Sequence, residues 1–273
     1  LMMSAEQVQT VIADRRIAAI TLTGSSTAGR KVAAIAGQHL KKCVLELGGS
    51  DPFIVLDDAD IALTAQQALV ARLQNMGQSC IAAKRFILID TIADTFVEQL
   101  SMLFGQLQIG DPKHETTGIA PMAREDLRAE LHAQVEQSLA AGAKLVSGGT
   151  VVGAQGASYY APTILDHVQP GMAAFDEELF GPVAAIVRVK DTAEAIRLAN
   201  QTQFGLGGSV WTRNTARGEE LARQIHAGSV FVNGIVRSDA RLPFGGIKES
   251  GYGRELSYHG IREFVNVKTV WIK

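Results

Sequence analysis

The sequence predicts an α/β protein organised around a parallel sheet, and two observations carry that expectation. Short apolar runs of strand length recur along the chain, and most are followed, after glycine, serine or aspartate, by a stretch with helical apolar spacing. Strands that alternate with helices in this way pair in parallel and are covered on both faces. Composition agrees: 273 residues, 47% hydrophobic and 20% charged, suffice for a substantial core and are too apolar for a disordered chain.

Residues 4–14 are polar and periodic and predict a helix. Residues 17–23 (IAAITLT) read as the first strand, and Gly24-Ser25-Ser26-Thr27 supply turn and cap chemistry before a helix over 28–40. Residues 43–47 (CVLEL) are the next strand, closed by Gly48-Gly49. The pattern then repeats: a strand over 52–56, a helix over 60–75 opened by Asp57, Asp58 and Asp60, a strand over 85–90, and a helix over 93–107. A long amphipathic helix covers 124–141, with Gly142 as its C-terminal cap. Residues 148–158 are glycine-rich and read as a surface loop. Strands follow at 182–189, 207–212 and 229–233, separated by helices over 192–200 and 216–226. The last segment, 263–272 (EFVNVKTVWI), alternates roughly and suits an antiparallel or edge strand open to pairing with another subunit. There is no internal repeat and no linker rich in proline and serine.

Charge and composition exclude several function classes. A net charge of −2 without a basic block is unsuited to a phosphate backbone, so no nucleic-acid partner is expected. No apolar run approaches the roughly 18–20 residues that span a bilayer, and residues 1–4 lack the basic region of a secretory signal. Two cysteines, Cys43 and Cys80, make no disulfide framework and suit a reducing, cytoplasmic setting. No cysteine–histidine cluster has metal-ligand spacing, so no metal is expected. The leading leucine, and a first helix that reads as part of a larger assembly, predict a fragment of a longer protein.

The candidate nucleophile is Cys80, in Gly77-Gln78-Ser79-Cys80 after one helix and at the expected start of another. A helix N-terminus stabilises a thiolate through its N–H groups and dipole. Taken alone, a cysteine is more often a small buried hydrophobe, and Cys43, in an apolar strand, fits that description. Glu46 is an acid at the end of an otherwise apolar strand; burial would raise its pKa and make it a proton acceptor. Periodicity alone equally allows an outward-facing strand residue. Glu177-Glu178-Leu179-Phe180-Gly181-Pro182 combines acids, an aromatic and a rigid turn, and reads either as a site or as a solvated turn. Pro243 to Gly251 (PFGGIKESG) is too glycine-dense for a core strand, and its phenylalanine suggests a loop packed against something.

Together these segments resemble the aldehyde dehydrogenase superfamily from about Arg15 onward. Thr23-Gly24-Ser25 through Gly29-Arg30 looks like its cofactor-phosphate turn, Glu46-Leu47-Gly48-Gly49 like its glutamate motif, and Gly77-Gln78-Ser79-Cys80 like its cysteine motif. The 34-residue spacing between Glu46 and Cys80 (80 − 46) is the family's usual one. Within the family, residues 41–56 and Ser238-Asp239-Ala240-Arg241 look closest to bacterial succinate-semialdehyde dehydrogenases of the short, NAD-preferring type.

The resemblance implies a three-layer parallel-sheet fold: the end of a Rossmann-like cofactor domain (1–48), a catalytic thiol domain (49–250), and a return helix with an oligomerisation strand (251–273). It implies that Cys80 attacks an aldehyde, that hydride passes to NAD (NADP being possible), and that Glu46 activates water to hydrolyse the resulting thioester. By the same resemblance Gly24, Ser25, Leu47, Glu178 and Phe180 contact the cofactor, while Ser238, Phe244 and Arg241, with Arg237 beside it, line the aldehyde site. Ser238 and the arginines would hold a distal carboxylate, although the arginines can equally be surface residues. Where some succinate-semialdehyde dehydrogenases carry an arginine six residues before the cysteine, this chain has Gln74. A small-molecule aldehyde is the expected partner, with a homodimer or homotetramer when the protein is complete.

The family's upstream oxyanion asparagine and ribose-binding lysine are absent from these residues, so the chain alone is expected to bind NAD weakly and turn over little. Rival readings are a CoA-acylating or acyl-phosphate enzyme, disfavoured by Glu46; a cysteine hydrolase, for which the six histidines show no motif; and a non-catalytic scaffold, disfavoured by retention of both Cys80 and Glu46.

Overall fold

The computed structural model describes residues 3–153 and 158–273. The chain opens with helix α1 (Ala5–Ala13), then strand β1 (Ala19–Thr23), helix α2 (Ser26–Gln38) and strand β2 (Lys42–Glu46). It continues through β3 (Pro52–Val55), α3 (Ile61–Leu73), β4 (Arg85–Ile89), α4 (Asp90–Gly105), α5 (Glu125–Ala140) and β5 (Lys144–Ser147). After β6 (Val151–Val152), β7 (Tyr159–Tyr160) and β8 (Thr163–Asp166) come α6 (Ala173–Asp176), β9 (Val183–Val189) and α7 (Thr192–Asn200). The chain ends with β10 (Gly207–Trp211), α8 (Thr215–Ala222), β11 (Ser229–Val232), β12 (Gly251–Tyr252) and α9 (Ser257–Glu263). It divides into two compact units, one holding residues up to Gly48 together with Arg237–Lys273, the other Gly49–Val236.

The larger unit is built on a seven-stranded sheet in the order β11-β10-β3-β4-β9-β8-β5. Every pairing is parallel except β5 with β8. Its central strands are apolar throughout because both faces are covered. Phe53, Val55, Phe86, Leu88, Ile186 and Trp211 point to one face, where α3 and α4 add Ala65, Ala68, Phe96 and Leu100. Ile54, Ile87, Ala185, Val187 and Val210 point to the other, against Leu131 and Val135 of α5 and Ala195 and Leu198 of α7. The register sets Phe53 beside Phe86, and Phe86 beside Ile186, so the two-residue period of the strands stays in phase across the sheet. Trp211 stacks on Phe53 with ring centroids 5.0 Å apart.

In the smaller unit β1 and β2 pair in parallel and the short β12 adds antiparallel to β2. Ser4 caps α1 in a capping box with Gln7, and Ser25 caps α2 by accepting the Ala28 N–H at 3.2 Å. The Lys41 ammonium donates to the Ile12 and Asp14 carbonyls and so satisfies the C-terminal end of α1. Ile12, Ala36, Cys43, Leu45 and Leu47 form the core of this unit.

Three sequence expectations need correction. Residues 263–272 pair with no strand of their own chain among the described residues: α9 continues to Glu263, and the rest is irregular, with Val267, Trp271 and Ile272 exposed. Alternation records a strand-like pattern, and a strand forms only where another edge takes its hydrogen bonds, which no other part of this chain does here. Residues 148–158 are not all loop, because Val151–Val152 pairs with Tyr159–Tyr160; residues 154–157 of that segment, and residues 1–2, lie outside the described residues. The third correction concerns Cys80 and is given below. Among the described residues, no helix is long and apolar enough to cross a membrane.

Candidate active site

Cys80 sits in a turn between α3 and β4, not at a helix start. After Leu73 the chain makes a single 3-10 turn, Gln74–Gly77, in which Asn75, Met76 and Gly77 all have positive φ, 49°, 57° and 73°. Two left-handed non-glycine residues in succession are costly unless the surroundings hold them. Here the Asn75 amide donates to the Gln78 carbonyl at 2.9 Å, and the buried Arg72 guanidinium donates to the Gly77 carbonyl at 2.7 Å. The Gln78 side chain accepts the Ala123 N–H at 2.9 Å. Gly77 has no alternative: a Cβ there would lie 2.2 Å from the Gly181 carbonyl oxygen.

The reason no helix follows is visible in residues 79–85. The Lys84 ammonium turns back and donates to the carbonyls of Ser79, Cys80 and Ala82 at 3.0, 2.9 and 3.0 Å. The N–H groups of Ala83 and Lys84 go instead to Ala71 and Asp51. Carbonyls and amides that a helix would have paired are already used, so tertiary contacts override the helical propensity of Ile81-Ala82-Ala83-Lys84.

Two further segments meet this turn. Gly49 crosses so close that a Cβ on it would stand 2.6 Å from the Cys80 carbonyl oxygen. Its N–H donates to Glu178 Oε1 at 2.9 Å, and Lys84 Nζ lies 3.6 Å from the same oxygen. Glu178 is thus fixed by one oxygen, while Gln134 of α5 holds the adjoining segment through Glu177 Oε2 at 2.8 Å. Leu179 is fully buried and Phe180 half-buried, so this stretch is a packed segment and not a solvated turn. Asp51, Arg72, Lys84 and Arg85 are buried around it. Burial pushes the Asp51 carboxyl up to about 6 against the pull of Lys84 and the Gly207 N–H, and burial also pulls Lys84 down against the attraction of Glu178.

In the smaller unit the sequence-predicted residues cluster at the end of β2. Glu46 is 2% exposed, which overturns the outward-facing reading. Neither carboxylate oxygen has a hydrogen-bond partner; the Gly246 N–H faces the group without reaching bonding geometry. Desolvation first, and repulsion by Glu255 second, raise its pKa to about 7, with Arg254 pulling the other way. The Glu46 carbonyl accepts the Gly24 N–H at 3.0 Å, tying the cap of α2 to the strand end. The Leu47 side chain packs beneath α2, where a Cβ on Gly29 would sit 2.5 Å from its Cδ1. The Pro243 to Gly251 loop is strapped across the same end: Leu47 N–H bonds the Ser250 carbonyl, and Ser250 Oγ donates to the Gly48 carbonyl at 2.6 Å.

The candidate substrate residues are less gathered. Phe244 is half-buried and its backbone pairs both ways with Glu255, at 2.9 and 2.7 Å. Ser238 is exposed, and Arg241 is exposed with its guanidinium engaged by Asp239 at 2.6 and 2.9 Å. Cys43 is buried in β2 and hydrogen-bonded to Tyr252, as an inert core thiol should be. Sequence reasoning missed Arg72 and Lys84. The signal for Lys84 was two consecutive cations, Lys84-Arg85, leading directly into the apolar run Phe86-Ile87-Leu88-Ile89. Solvated cations seldom enter a central strand; these two are buried and pair with carbonyls.

Residues 2–270 match the aldehyde dehydrogenase family. The NAD(P)-dependent succinate semialdehyde dehydrogenase Sad of Escherichia coli K12 is 52% identical over 264 residues, covering 97% of this chain and 57% of that protein. An NADP-dependent succinate-semialdehyde dehydrogenase of Mycobacterium ulcerans is 49% identical over 276 residues, covering 100% and 59%. The crystal structure of succinic semialdehyde dehydrogenase from Streptococcus pyogenes with NADP+ superposes with a TM-score of 0.96 at 41% identity, covering 100% of this chain and 60% of that one. The chain therefore spans less than two thirds of the length of these relatives, and it belongs to the aldehyde dehydrogenase family.

Proposed function

We propose that the protein oxidises a small aldehyde, succinate semialdehyde above all, to its carboxylic acid with NAD or NADP, using Cys80 as nucleophile and Glu46 as base. The observation that carries the chemistry is Glu46: an acid buried at a strand end without a hydrogen-bond partner, its pKa near 7, is suited to taking a proton from water. The substrate assignment rests on the relatives, two of which are named for succinate semialdehyde and are 52% and 49% identical to the chain. Engagement of Arg241 by Asp239 leaves exposed Ser238 and Arg237 as the remaining candidates for the distal carboxylate.

The residues present fit a dinucleotide. Helix α2 has no acid in its first turn, so its N-terminal N–H groups and dipole favour a phosphate, and Ser25 Oγ accepts one bond there while keeping its own proton to donate. Gly24 and Leu47 would flank the bound phosphates, and Glu178 would offer ribose hydroxyls its second oxygen, with Phe180 beside it. When bound, the nicotinamide supplies the acceptor for the hydride that raises the thiohemiacetal carbon to the oxidation level of a thioester.

The protein's own residues do the rest. The Cys80 thiolate forms a carbon–sulfur bond to the aldehyde carbonyl, and the Cys80 N–H helps to hold the resulting oxyanion. After oxidation, Glu46 accepts a proton from water as that water attacks the thioester. The carbon–sulfur bond breaks, the carboxylic acid leaves, and Cys80 departs as thiolate. Residues up to 48 would serve the cofactor and the large sheet the thiol, and the exposed segment after α9 would pair with a second copy, giving a dimer or tetramer.

The test is steady-state oxidation of succinate semialdehyde, with NAD and with NADP, by the protein purified with every residue its gene encodes. Activity abolished by Cys80→Ala and reduced by orders of magnitude in Glu46→Gln is expected. Activity on other aldehydes alone would discard the substrate, and none on any aldehyde would discard the reaction. The 273-residue chain by itself is expected to bind NAD weakly; a micromolar affinity in calorimetry would overturn that.

A further inference from the structure

We infer that Lys84 is a positioning residue: its buried ammonium fixes the Cys80 turn, keeps the Cys80 sulfur poised as thiolate, and links that turn to Glu178. The inference rests on the assignment of Cys80 as nucleophile but needs neither the aldehyde nor the dinucleotide to be correct.

Geometry shows first that the group is charged. Lys84 Nζ has three carbonyl acceptors, Ser79, Cys80 and Ala82, all between 2.9 and 3.0 Å. A neutral amine has two N–H donors, and its lone pair would face one of those oxygens; only an ammonium supplies three. The side chain is fully buried, so no water can stand in for a missing donor. Three of four successive residues, 79, 80 and 82, are therefore held by one atom, which is why the turn keeps its shape without helical hydrogen bonds.

The same charge has a second neighbour. Glu178 Oε1 lies 3.6 Å from Nζ and also accepts the Gly49 N–H, so one carboxylate oxygen is fixed by a cation and an amide together. Its other oxygen is left to a ligand hydroxyl. Movement of Glu178 would thus be felt at Nζ, and through Nζ at the Cys80 carbonyl. The charged groups that act on Lys84 are Glu178 and Asp51, which favour its charge, and Arg72, which opposes it. Cys80 also favours the charge, and that interaction is reciprocal: the ammonium stabilises the thiolate. This replaces the helix N-terminus expected from sequence as the device that activates the thiol. A buried point charge is the stronger choice for a turn, because it acts without an aligned helix and cannot be screened by salt.

The experiment is the pH profile of iodoacetamide alkylation at Cys80, followed by peptide mapping so that Cys43 is counted separately. Wild-type protein is compared with Lys84→Met and Lys84→Gln, and circular dichroism checks that each is folded. Wild type should show an apparent Cys80 pKa below the ordinary thiol value of about 8.5. In a folded Lys84→Met or Lys84→Gln the inflection should rise by about one pH unit, making alkylation near pH 7 about tenfold slower. An unchanged profile in either folded variant overturns the inference. If neither variant folds, the wild-type profile still decides: an inflection at or above about 8.5 means that no charge assists the thiol. A low inflection that depends on Lys84, in a protein that oxidises no aldehyde, would sink the proposed function and leave this inference standing.

Discussion

Replacing Glu46 by glutamine separates the cost of burying the acid from its chemistry. The ordinary glutamate value of 4.5 is raised to about 7 in the folded protein. That difference corresponds to about 3 kcal/mol against folding once both states are ionised. The sign follows from the direction of the shift. Below the unfolded pKa both states hold the proton and there is no penalty. As pH rises from the unfolded toward the folded value, the unfolded chain ionises first and stability is lost; above the folded value the penalty is constant. Glutamine keeps the shape and cannot ionise, so its variant should be the more stable one at alkaline pH. Between about pH 5.5 and 8.5 the gap between the variant and wild type should widen by about 2 kcal/mol. Urea unfolding followed by circular dichroism at the two pH values measures it directly. A gap that stays constant within about 0.5 kcal/mol would show that Glu46 ionises as freely as a solvated acid, and its role as base would lose its physical support.

Two further perturbations probe the frame around the thiol and the sheet. Gly77→Ala places a methyl group 2.2 Å from the Gly181 oxygen at a φ of 73°. It should cost at least about 2 kcal/mol and slow alkylation of Cys80; a variant with wild-type melting temperature and thiol reactivity would show that the two segments need not touch. Asp166→Asn tests the Arg188 pair, whose two hydrogen bonds are 3.0 and 2.8 Å long. Burial works against the Asp166 charge, but the Arg188 bonds and the His167 N–H outweigh it and hold the pKa below the ordinary value. A lowered acid stabilises above its unfolded pKa and loses that contribution as pH falls through the folded one. The variant should therefore be less stable by about 2 kcal/mol at neutral pH and approach wild type in acid; a deficit independent of pH would assign the loss to packing.

What could be read in the sequence depended on which contacts decide each element. Strands such as Phe53-Ile54-Val55 and Phe86-Ile87-Leu88 were legible because burial on both faces writes an unbroken apolar run. The cap Ser25 was legible because the bond is local. Strands β5 and β8, KLVS and TILD, escaped notice: four residues carry no period, and their pairing is set by partners far along the chain. The terminal segment is the opposite case: it shows a period, and no strand of its own chain pairs with it among the described residues. At the candidate site the residue types of Cys80, Glu46 and Glu178 were legible, and the surroundings of Cys80 were not. Propensity over Ile81-Ala82-Ala83-Lys84 favours a helix, and only the fold-back of the Lys84 ammonium shows why none forms.

That fold-back belongs to a larger network of buried charge. Arg72, Lys84 and Arg85 are fully buried in the large unit, with Asp51, Glu178 and Asp176 as the carboxylates that favour their charge. Buried charge of that kind is poor value for stability, since well-packed apolar groups often do as well or better. Arg85 can be explained structurally: it donates to the Ser50, Leu198 and Ala199 carbonyls and fixes the end of α7. Arg72 donates to Gly77 and Lys84 to Cys80, so both lead to the thiol turn. Positive charge there lowers the energy of any anion that forms in the turn. The first anion the proposed reaction requires is the thiolate, and the second is the oxyanion on the carbon it attacks.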